Sequence, residues 1–543
     1  MDSIDDLLRQ VFQLAEFRPH QREIIQDVLD GHDVVCVMPT GAGKSLCFQL
    51  PALVLKGLTL VVSPLISLMA DQVRHLQTLG VPVLLLNSSL PSSEQSQVLK
   101  RLKDGFAGLV YLAPERFAAA SFHRILPQLR PNLLVVDEAH CLSFWGHDFR
   151  PEYMRLAEVR QQLGSPVTMA LTATATPNVR DDIIKMLQLR LPKMHVTGFD
   201  RPNLTYACRR LDTQAEKDEA LLNGLSKQSG TGIIYCSTRR LVEQLAALLE
   251  GRFPDRTVRA YHAGMDAPSR KKSQEDFMAS TGAVVVATNA FGMGINKTDI
   301  RFVVHYNIPA SLEAYYQEAG RAGRDGRPAQ CVLYCSPSDR YTQEFFIDKI
   351  GDNNTELSPS QVATLQAHAR QKLAQVFNYA YRARCRRRAI LEYFGDRTAI
   401  TRCTCDVCRG DVRSHPATRA PGGNAPRGLA RSKRARSTAY KVKSPTEPLI
   451  AGTARSAAQG KAKSDWNNLD QVAELRFGRL RKVRMELAAA EGRPPFFICH
   501  DKVLLEVARV APTSLDSLAA IRGVGPSKAE KFGPAFLKAL KDS

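Results

Sequence analysis

Residues 34–53, with the sequence VVCVMPTGAGKSLCFQLPAL, decide the fold of this chain. The apolar start predicts a β-strand, the glycine-rich middle predicts a tight turn, and the apolar end predicts a helix. Backbone N–H groups around Gly41 and Gly43 can surround phosphate oxygens, and the following helix N-terminus favours negative charge. Lys44 is then placed to reach the β- and γ-phosphates of a nucleotide, and the Ser45 hydroxyl is placed to bind Mg²⁺.

Short β-branched runs alternate with longer helical patterns from about residue 30 to residue 340. Such nearly continuous apolar runs are typical of parallel strands that helices cover on both faces. A span of about 300 residues is large for one sheet, so the pattern predicts two doubly wound α/β lobes that join near residues 198–203. The expected strands lie in DVVCVMP, LTLVVSP, VPVLLLN, LLVVDEAH, VTMALTA, GIIYCST, AVVVAT and FVVHYNIP.

Composition narrows the class of partner. The chain has 543 residues, 44% hydrophobic residues and a formal net charge of +20. This excess of positive charge indicates a polyanionic partner, with nucleic acid ahead of a membrane surface. Apolar runs stay below the ~18 residues that span a bilayer, and the acidic start MDSIDDLLRQ is unlike a secretory or organellar signal. We therefore expect no membrane partner.

Two adjacent carboxylates, Asp137 and Glu138, follow the apolar run LLVV. Asp137 is placed to hold Mg²⁺ through water, and Glu138 to orient or deprotonate an attacking water molecule. An Asp-Glu pair can instead serve only to cap a helix. The phosphate loop upstream favours the hydrolytic interpretation.

Two arginines, Arg321 and Arg324, lie three residues apart in YYQEAGRAGRDG. From one helical turn both could point toward a γ-phosphate and stabilise the charge that develops during phosphoryl transfer. The alternative is a solvated basic helix end. With the phosphate loop and the acids, they predict a nucleotide hydrolase whose parts lie in two lobes.

The stretch SFWGHDFR (residues 143–150, the aromatic loop) comes directly after the acids and interleaves aromatic side chains with glycine, aspartate and arginine. This order does not follow the periodicity of a core-facing helix or strand. Ordinary core packing is the alternative interpretation. Aromatic rings beside cations are typical of surfaces on which the bases of single-stranded nucleic acid stack.

Four cysteines lie close together in CRRRAILEYFGDRTAITRCTCDVC, the last segment before the composition changes. Four thiolates in a compact segment predict a tetrahedral structural Zn²⁺ site, with free or redox-active thiols as the alternative. Several other cysteines are scattered singly in apolar runs, which suits buried thiols in a reducing compartment. The predicted Zn²⁺ ligands are Cys385, Cys403, Cys405 and Cys408.

Residues 409–464 contain 13 Lys or Arg and 2 Asp or Glu residues, a net charge of +11, and few large apolar residues. This composition cannot bury a core and predicts a disordered basic linker. Its segment RSKRARSTAYKVK has two interpretations, a nuclear import signal or a tether that holds phosphates without sequence preference. Helical patterns return after Trp466.

The ordered motifs between residues 12 and 408 resemble those of RecQ-family DNA helicases, within helicase superfamily two. The C-terminal segments LRKVRMELAAAEGRPPFFICHDKVLLEVA and LAAIRGVGPSKAEKFGPAFLKAL are similar to the HRDC module, a small helical accessory domain. The segments that carry the helicase resemblance are EFRPHQREII, PTGAGKS, SPLISLMADQV, LAPERF, DEAH, LTATAT, IIYCST, VATNAFGMGINKTDIRFVVHYNIP and QEAGRAGRDG.

The resemblance implies an ATP-dependent helicase that unwinds duplex or branched DNA with 3′-to-5′ polarity in replication, recombination and repair. It implies that Arg18 and Gln21 contact the adenine and that Thr40 belongs to the ATP-binding loop. It favours Arg324 over Arg321 as the arginine at the transferred phosphate. It also implies that the aromatic loop contacts single-stranded DNA and couples it to hydrolysis, through Trp145, His147, Phe149 and Arg150.

The resemblance also implies a division of the chain into domains. RecQ helicases commonly have a winged-helix domain after the zinc-binding module, and this sequence has no evident counterpart of it. Without that domain, an ATP-gated DNA-binding or annealing protein, or a translocase that unwinds little, is the alternative function. Single-strand-binding protein and topoisomerase are the implied protein partners. The expected location is the bacterial cytoplasm with its nucleoid, or the nucleus if the source is eukaryotic. The expected domains are lobe 1 (1–200), lobe 2 (201–340), a helical zinc-binding module (341–412), the basic linker (413–465) and the HRDC-like domain (466–543).

Overall fold

The computed structural model of the protein describes most of the chain. His147 and the predicted basic linker lie outside the described residues. No helix in the described part is long and apolar enough to cross a bilayer. The described residues are 3–146, 148–292, 297–352, 357–411, 471–490, 498–499, 501–521 and 524–541.

Lobe 1 is built on a seven-stranded parallel sheet with the strand order β3-β4-β2-β5-β6-β1-β7. Alternate residues of β1 enter separate cores on the two faces, Val35 and Val37 on one and Val34 and Cys36 on the other. The strands are β1 (Val34–Val37), β2 (Leu58–Val62), β3 (Val83–Leu86), β4 (Gly108–Leu112), β5 (Leu133–Val136), β6 (Val167–Thr172) and β7 (Lys193–Val196).

The helices of lobe 1 cover both faces of this sheet, as the continuous apolar strands require. They are α1 (Ile4–Gln10), α2 (Gln21–Leu29), α3 (Leu46–Leu55), α4 (Ile66–Thr78), α5 (Ser92–Lys103), α6 (Ala120–His123), α7 (Leu156–Gln162) and α8 (Pro177–Met186).

Lobe 2 repeats the architecture with six parallel strands in the order β10-β11-β9-β12-β13-β8. Its strands are β8 (Leu204–Arg210), β9 (Thr231–Tyr235), β10 (Val258–Tyr261), β11 (Val284–Ala287), β12 (Ile300–His305) and β13 (Ala329–Cys335). Its helices are α9 (Gln214–Leu225), α10 (Arg239–Arg252), α11 (Ala267–Ala279) and α12 (Leu312–Ala319).

Three helices follow lobe 2: α13 (Ser338–Asp348), α14 (Pro359–Tyr381) and α15 (Arg386–Tyr393). The long helix α14 starts at a capping box, in which Ser358 and Gln361 satisfy each other's backbone N–H groups. Pro359 occupies the first helical position, where its missing N–H group costs nothing.

The C-terminal region is all helical and has its own core, which includes Phe477, Leu504 and Phe536. Its first helix contacts α14, and the Arg481 guanidinium donates a 3.3 Å hydrogen bond to the Leu357 carbonyl oxygen. The helices are α16 (Gln471–Ala490), α17 (Asp501–Val510), α18 (Leu515–Ala519) and α19 (Gly525–Lys541).

The prediction of two doubly wound lobes, a helical module with the cysteines and a helical C-terminal region is confirmed. All eight expected segments contain strands, and the structure adds β4, β7, β8, β10 and β13. Polar side chains interrupt the apolar pattern in β7 and β8, and β7 is mostly exposed at a sheet edge. Periodicity alone therefore did not single these strands out.

Candidate ATP and nucleic-acid sites

The phosphate loop links β1 to α3 through two residues with left-handed backbone conformations, Gly41 (φ 87°) and Gly43 (φ 85°). Only glycine adopts such a conformation without a steric penalty. A Cβ at Gly43 would also overlap the Gln21 amide nitrogen. The loop therefore folds as the sequence predicts, with backbone free to approach a ligand closely.

Two side chains hold this loop, one from just before α2 and one from its first residue. The Arg18 guanidinium donates to the Gly41 carbonyl oxygen. The Gln21 amide donates to the carbonyl oxygens of Ala42 (3.3 Å) and Gly43 (3.0 Å), and its own oxygen accepts from the Arg18 backbone N–H at 2.9 Å. Both predicted adenine-contacting residues therefore form hydrogen bonds to the phosphate loop. Their contact with the base stays a prediction.

The residues that complete the loop lie within the same turn. The Lys44 ammonium donates a 3.1 Å hydrogen bond to the Met38 carbonyl oxygen at the end of β1. Thr40 and Ser45 are half-buried on either side of the two glycines. Ser45 is the residue before α3, where its hydroxyl lies near the helix N-terminus.

The two acids directly follow β5, as expected. The Asp137 carboxylate accepts hydrogen bonds from the Ser63 hydroxyl (3.3 Å) and from the Glu138 backbone N–H (3.0 Å). Burial and the neighbouring Glu138 raise the pKa of Asp137 to about 7, whereas Lys44 acts in the opposite direction. Glu138 has a left-handed backbone (φ 48°), which is uncommon for a non-glycine residue and typical of functional sites.

The two arginines from lobe 2 have different contacts. The Arg321 guanidinium is buried and donates to the Gly292 carbonyl oxygen within lobe 2. Arg324 instead reaches the phosphate loop of lobe 1. A Cβ atom added at Gly41 would lie 3.4 Å from the Cγ atom of Arg324. Burial, followed by the nearby Arg321 and Arg201, lowers the pKa of Arg324 to about 10. Of the two arginines, Arg324 is the one that contacts the phosphate loop.

The described rings of the aromatic loop are packed against other side chains. Phe144 stacks on Phe149 with ring centroids 4.3 Å apart. Trp145 stacks on His368 of α14 at 3.6 Å. Arg150 pairs with Asp148 of the same loop at 3.1 Å and donates to the Pro64 carbonyl oxygen at 3.2 Å.

The backbone of this loop is fastened on two sides. A Cβ at Gly146 would overlap the His140 carbonyl oxygen, so the loop lies directly on the segment that carries the acids. On the other side, the Lys372 ammonium of α14 donates to the carbonyl oxygens of Trp145 and Gly146 (2.7 Å for Gly146). Lys372 also pairs with the buried Glu313 of lobe 2 at 3.4 Å.

Sequence reasoning missed His368, Lys372 and Glu313 as functional candidates. They lie on α12 and α14, far along the chain from the aromatic loop. A lysine in a helix normally predicts a solvated face, and only the tertiary structure shows that Lys372 is buried against loop carbonyls.

The four predicted cysteines come together. Their sulfur atoms all lie within 4.8 Å of one another. A tetrahedral site with Zn–S distances of about 2.3 Å has sulfur–sulfur separations of about 3.8 Å, so the cluster fits such an ion. Cys385 caps the start of α15, and the neighbouring Arg386 pairs with the buried Asp406 at 3.0 Å. That ion pair fixes the helix to the returning loop.

Four sequence-family models match consecutive parts of the chain, in the order that the motifs predict. The HRDC match covers the helices α16–α19, and the RecQ zinc-binding match covers the cysteine cluster. The matches are DEAD/DEAH box helicase (residues 18–182), Helicase conserved C-terminal domain (216–326), RecQ zinc-binding (337–409) and HRDC domain (473–540).

Two full-length relatives and one solved structure are similar to this chain. The ATP-dependent DNA helicase RecQ of Haemophilus influenzae is 33% identical over 99% of this chain and 95% of its own length. The RecQ helicase of Bacillus subtilis is 35% identical over 98% of both chains. The structure of Mss116p bound to ssRNA and AMP-PNP superposes with a TM-score of 0.53 at 16% identity, over 73% of this chain and 90% of that one, which shows a shared fold alone. This chain belongs to the RecQ family of ATP-dependent DNA helicases.

Proposed function

We propose that the protein hydrolyses ATP between its two lobes to move 3′ to 5′ along one DNA strand and to separate duplex or branched DNA. The contact of Gly146 with the His140 carbonyl oxygen carries this proposal. It joins the predicted DNA-contacting loop to the hydrolytic acids through a few backbone atoms. A change in the loop on DNA binding can therefore reach Glu138 without a long pathway.

At the ATP site, each residue has a proposed task. Lys44 and the loop backbone bind the phosphates, and Ser45 and Asp137 would hold Mg²⁺, which neutralises phosphate charge. Glu138 orients the attacking water and Arg324 stabilises the charge of the transferred phosphoryl group. Arg18, Gln21 and Thr40 complete the nucleotide contacts. Arg321, which donates to the Gly292 carbonyl oxygen, is proposed to support the site from within lobe 2.

At the DNA site, Trp145 and Phe149 are the proposed stacking rings. Each is already stacked on an internal partner, so we propose that bases displace His368 from Trp145 or Phe144 from Phe149. A base stacked on an aromatic ring contributes about 1–3 kcal/mol, enough to replace an internal ring pair of about 0.5–1.5 kcal/mol. Arg150, with His147, is proposed to contact the strand as well.

Zn²⁺ is the proposed ion of the cysteine cluster, and its role is structural. Cys385, Cys403, Cys405 and Cys408 would hold the ion through four thiolates, which would leave no open position for chemistry. We propose that the domain boundaries are those expected from the sequence: 1–200, 201–340, 341–412, 413–465 and 466–543. Replication, recombination and repair are the proposed processes.

Strand displacement tests this function. The substrate is a short duplex with a 3′ single-stranded tail, compared with the same duplex carrying a 5′ tail, in ATP and Mg²⁺. We expect displacement from the 3′-tailed duplex only, and none with Lys44→Ala protein. DNA-stimulated hydrolysis without displacement from either substrate would contradict unwinding and support an ATP-gated DNA-binding protein.

A further inference from the structure

The joint between the lobes, residues 198–203, holds the loop that carries Arg324. The Arg201 guanidinium donates hydrogen bonds to three carbonyl oxygens just after α12: those of Gly320 (3.1 Å), Ala322 (2.9 Å) and Gly323 (3.0 Å). These carbonyls lie beyond the helix and cannot be satisfied by its own N–H groups. Arg201 therefore fixes the path of the chain up to the residue before Arg324.

Asn203 closes the same loop from its other end. Its amide donates to the carbonyl oxygens of Gly323 (2.9 Å) and Arg327 (3.0 Å), which flank Arg324. Gly323 has a left-handed backbone (φ 57°), and a Cβ there would lie 2.8 Å from the Arg327 carbonyl oxygen. The loop is thus a tight turn whose shape depends on the joint.

The joint is fastened in turn to the zinc-binding module. Phe199 stacks on Phe394 at 4.3 Å with the rings nearly parallel, and its backbone N–H donates to the Asp396 carboxylate at 2.8 Å. The next residue, Asp200, pairs with Arg387 of α15. Arg387 is two residues from the predicted zinc ligand Cys385, so the cysteine cluster and the joint share one short helix.

We propose that Arg201 and Asn203 are positioning residues for Arg324, and that the zinc-binding module supports the ATP site through Phe199 and Asp200. This inference rests on the proposed role of Arg324 in phosphoryl transfer. An arginine at a transferred phosphate acts only from a fixed position, and a misplacement of about 1 Å can cost about 100-fold in rate. Five hydrogen bonds from two side chains supply that position.

A double-mutant cycle on DNA-stimulated ATP hydrolysis tests the proposal. We expect Arg201→Ala to lower kcat about 100-fold while KM for ATP and Kd for DNA stay unchanged. In an Arg324→Ala background, Arg201→Ala should have no further effect, because it acts only through Arg324. Arg252→Ala, which removes an exposed arginine of α10, serves as the matched control and should leave kcat unchanged.

The proposal would be overturned if Arg201→Ala lowered kcat by the same factor with and without Arg324. An unchanged kcat in the Arg201→Ala protein would overturn it as well. Asn203→Ala provides a second variant if Arg201→Ala does not fold; we expect a smaller loss of kcat that also vanishes in the Arg324→Ala background. Failure of the proposed function is distinguishable, because it would show in the unaltered protein as absent strand displacement, whereas failure of this inference shows only in the Arg201 and Asn203 variants.

Discussion

The phosphate loop and the aromatic loop lie in the same lobe but are held in different ways. The phosphate loop takes its shape from its own glycines and from hydrogen bonds that Arg18, just before α2, and Gln21, its first residue, donate to the loop. The aromatic loop takes its position from His368 and Lys372, more than two hundred residues away. The first is a fixed binding site, whereas the second can respond to where the zinc-binding module lies.

The largest effect should come from the fixed site. Lys44→Ala removes the ammonium that contacts the phosphates, and loss of one such charge-stabilising group costs about 100- to 1000-fold in kcat. We expect hydrolysis to fall by this factor with and without DNA, measured by phosphate release. A variant that keeps its DNA stimulation ratio at a reduced rate agrees with the account; a changed ratio with normal basal hydrolysis contradicts it.

The next effect should come from the contact between the aromatic loop and the segment that carries the acids. Gly146→Ala places a methyl group on the His140 carbonyl oxygen, so the aromatic loop must shift. We expect loss of most DNA stimulation, about tenfold or more, with basal hydrolysis retained, since overpacking costs about 1–3 kcal/mol locally. Gly478→Ala, at an exposed helical glycine with no atom within 4 Å of its Cβ, is the control. Full stimulation in Gly146→Ala would refute direct contact as the link.

A smaller functional effect, but a clear loss of stability, is expected from Lys372→Met. Breaking a buried ion pair costs about 3–5 kcal/mol because one charge stays buried. The variant should unfold at lower denaturant concentration and bind DNA normally, with weaker stimulation of hydrolysis. Arg370→Met, on the same helix at an exposed ion pair, should change the stability by less than about 1 kcal/mol. Equal stability of the two variants would show that Lys372 does not hold the loop.

The smallest effect should come from His368→Ala. It removes the ring that stacks on Trp145, an interaction of about 0.5–1.5 kcal/mol. Trp145 should then be available to DNA without first leaving a partner, so we expect slightly tighter binding of single-stranded DNA, by up to about tenfold. Fluorescence anisotropy with a labelled oligonucleotide measures this, and weaker binding would contradict the displacement model.

The sequence predicted those features that depend on neighbouring residues. Each predicted set of site residues lies within a short segment, so the residue types alone indicate its chemistry. These sets are the loop glycines with Lys44, the acids after β5, and the four cysteines. The packing of Trp145 on His368 could not be predicted, because it depends on how α14 crosses lobe 1. Spacing allowed both Arg321 and Arg324 to face a phosphate, and it could not show that Arg324 packs near Gly41 while Arg321 is buried on the Gly292 carbonyl oxygen.

Coupling of DNA binding to ATP hydrolysis through the aromatic loop is tested most directly by the ratio of ATP hydrolysis with and without single-stranded DNA in Trp145→Ala protein. Basal hydrolysis depends on the phosphate loop and the acids, so it should match that of the unaltered protein. DNA should still bind, but the stimulation ratio should fall to about one. A normal stimulation ratio in this variant would show that the aromatic loop does not couple DNA to the ATP site.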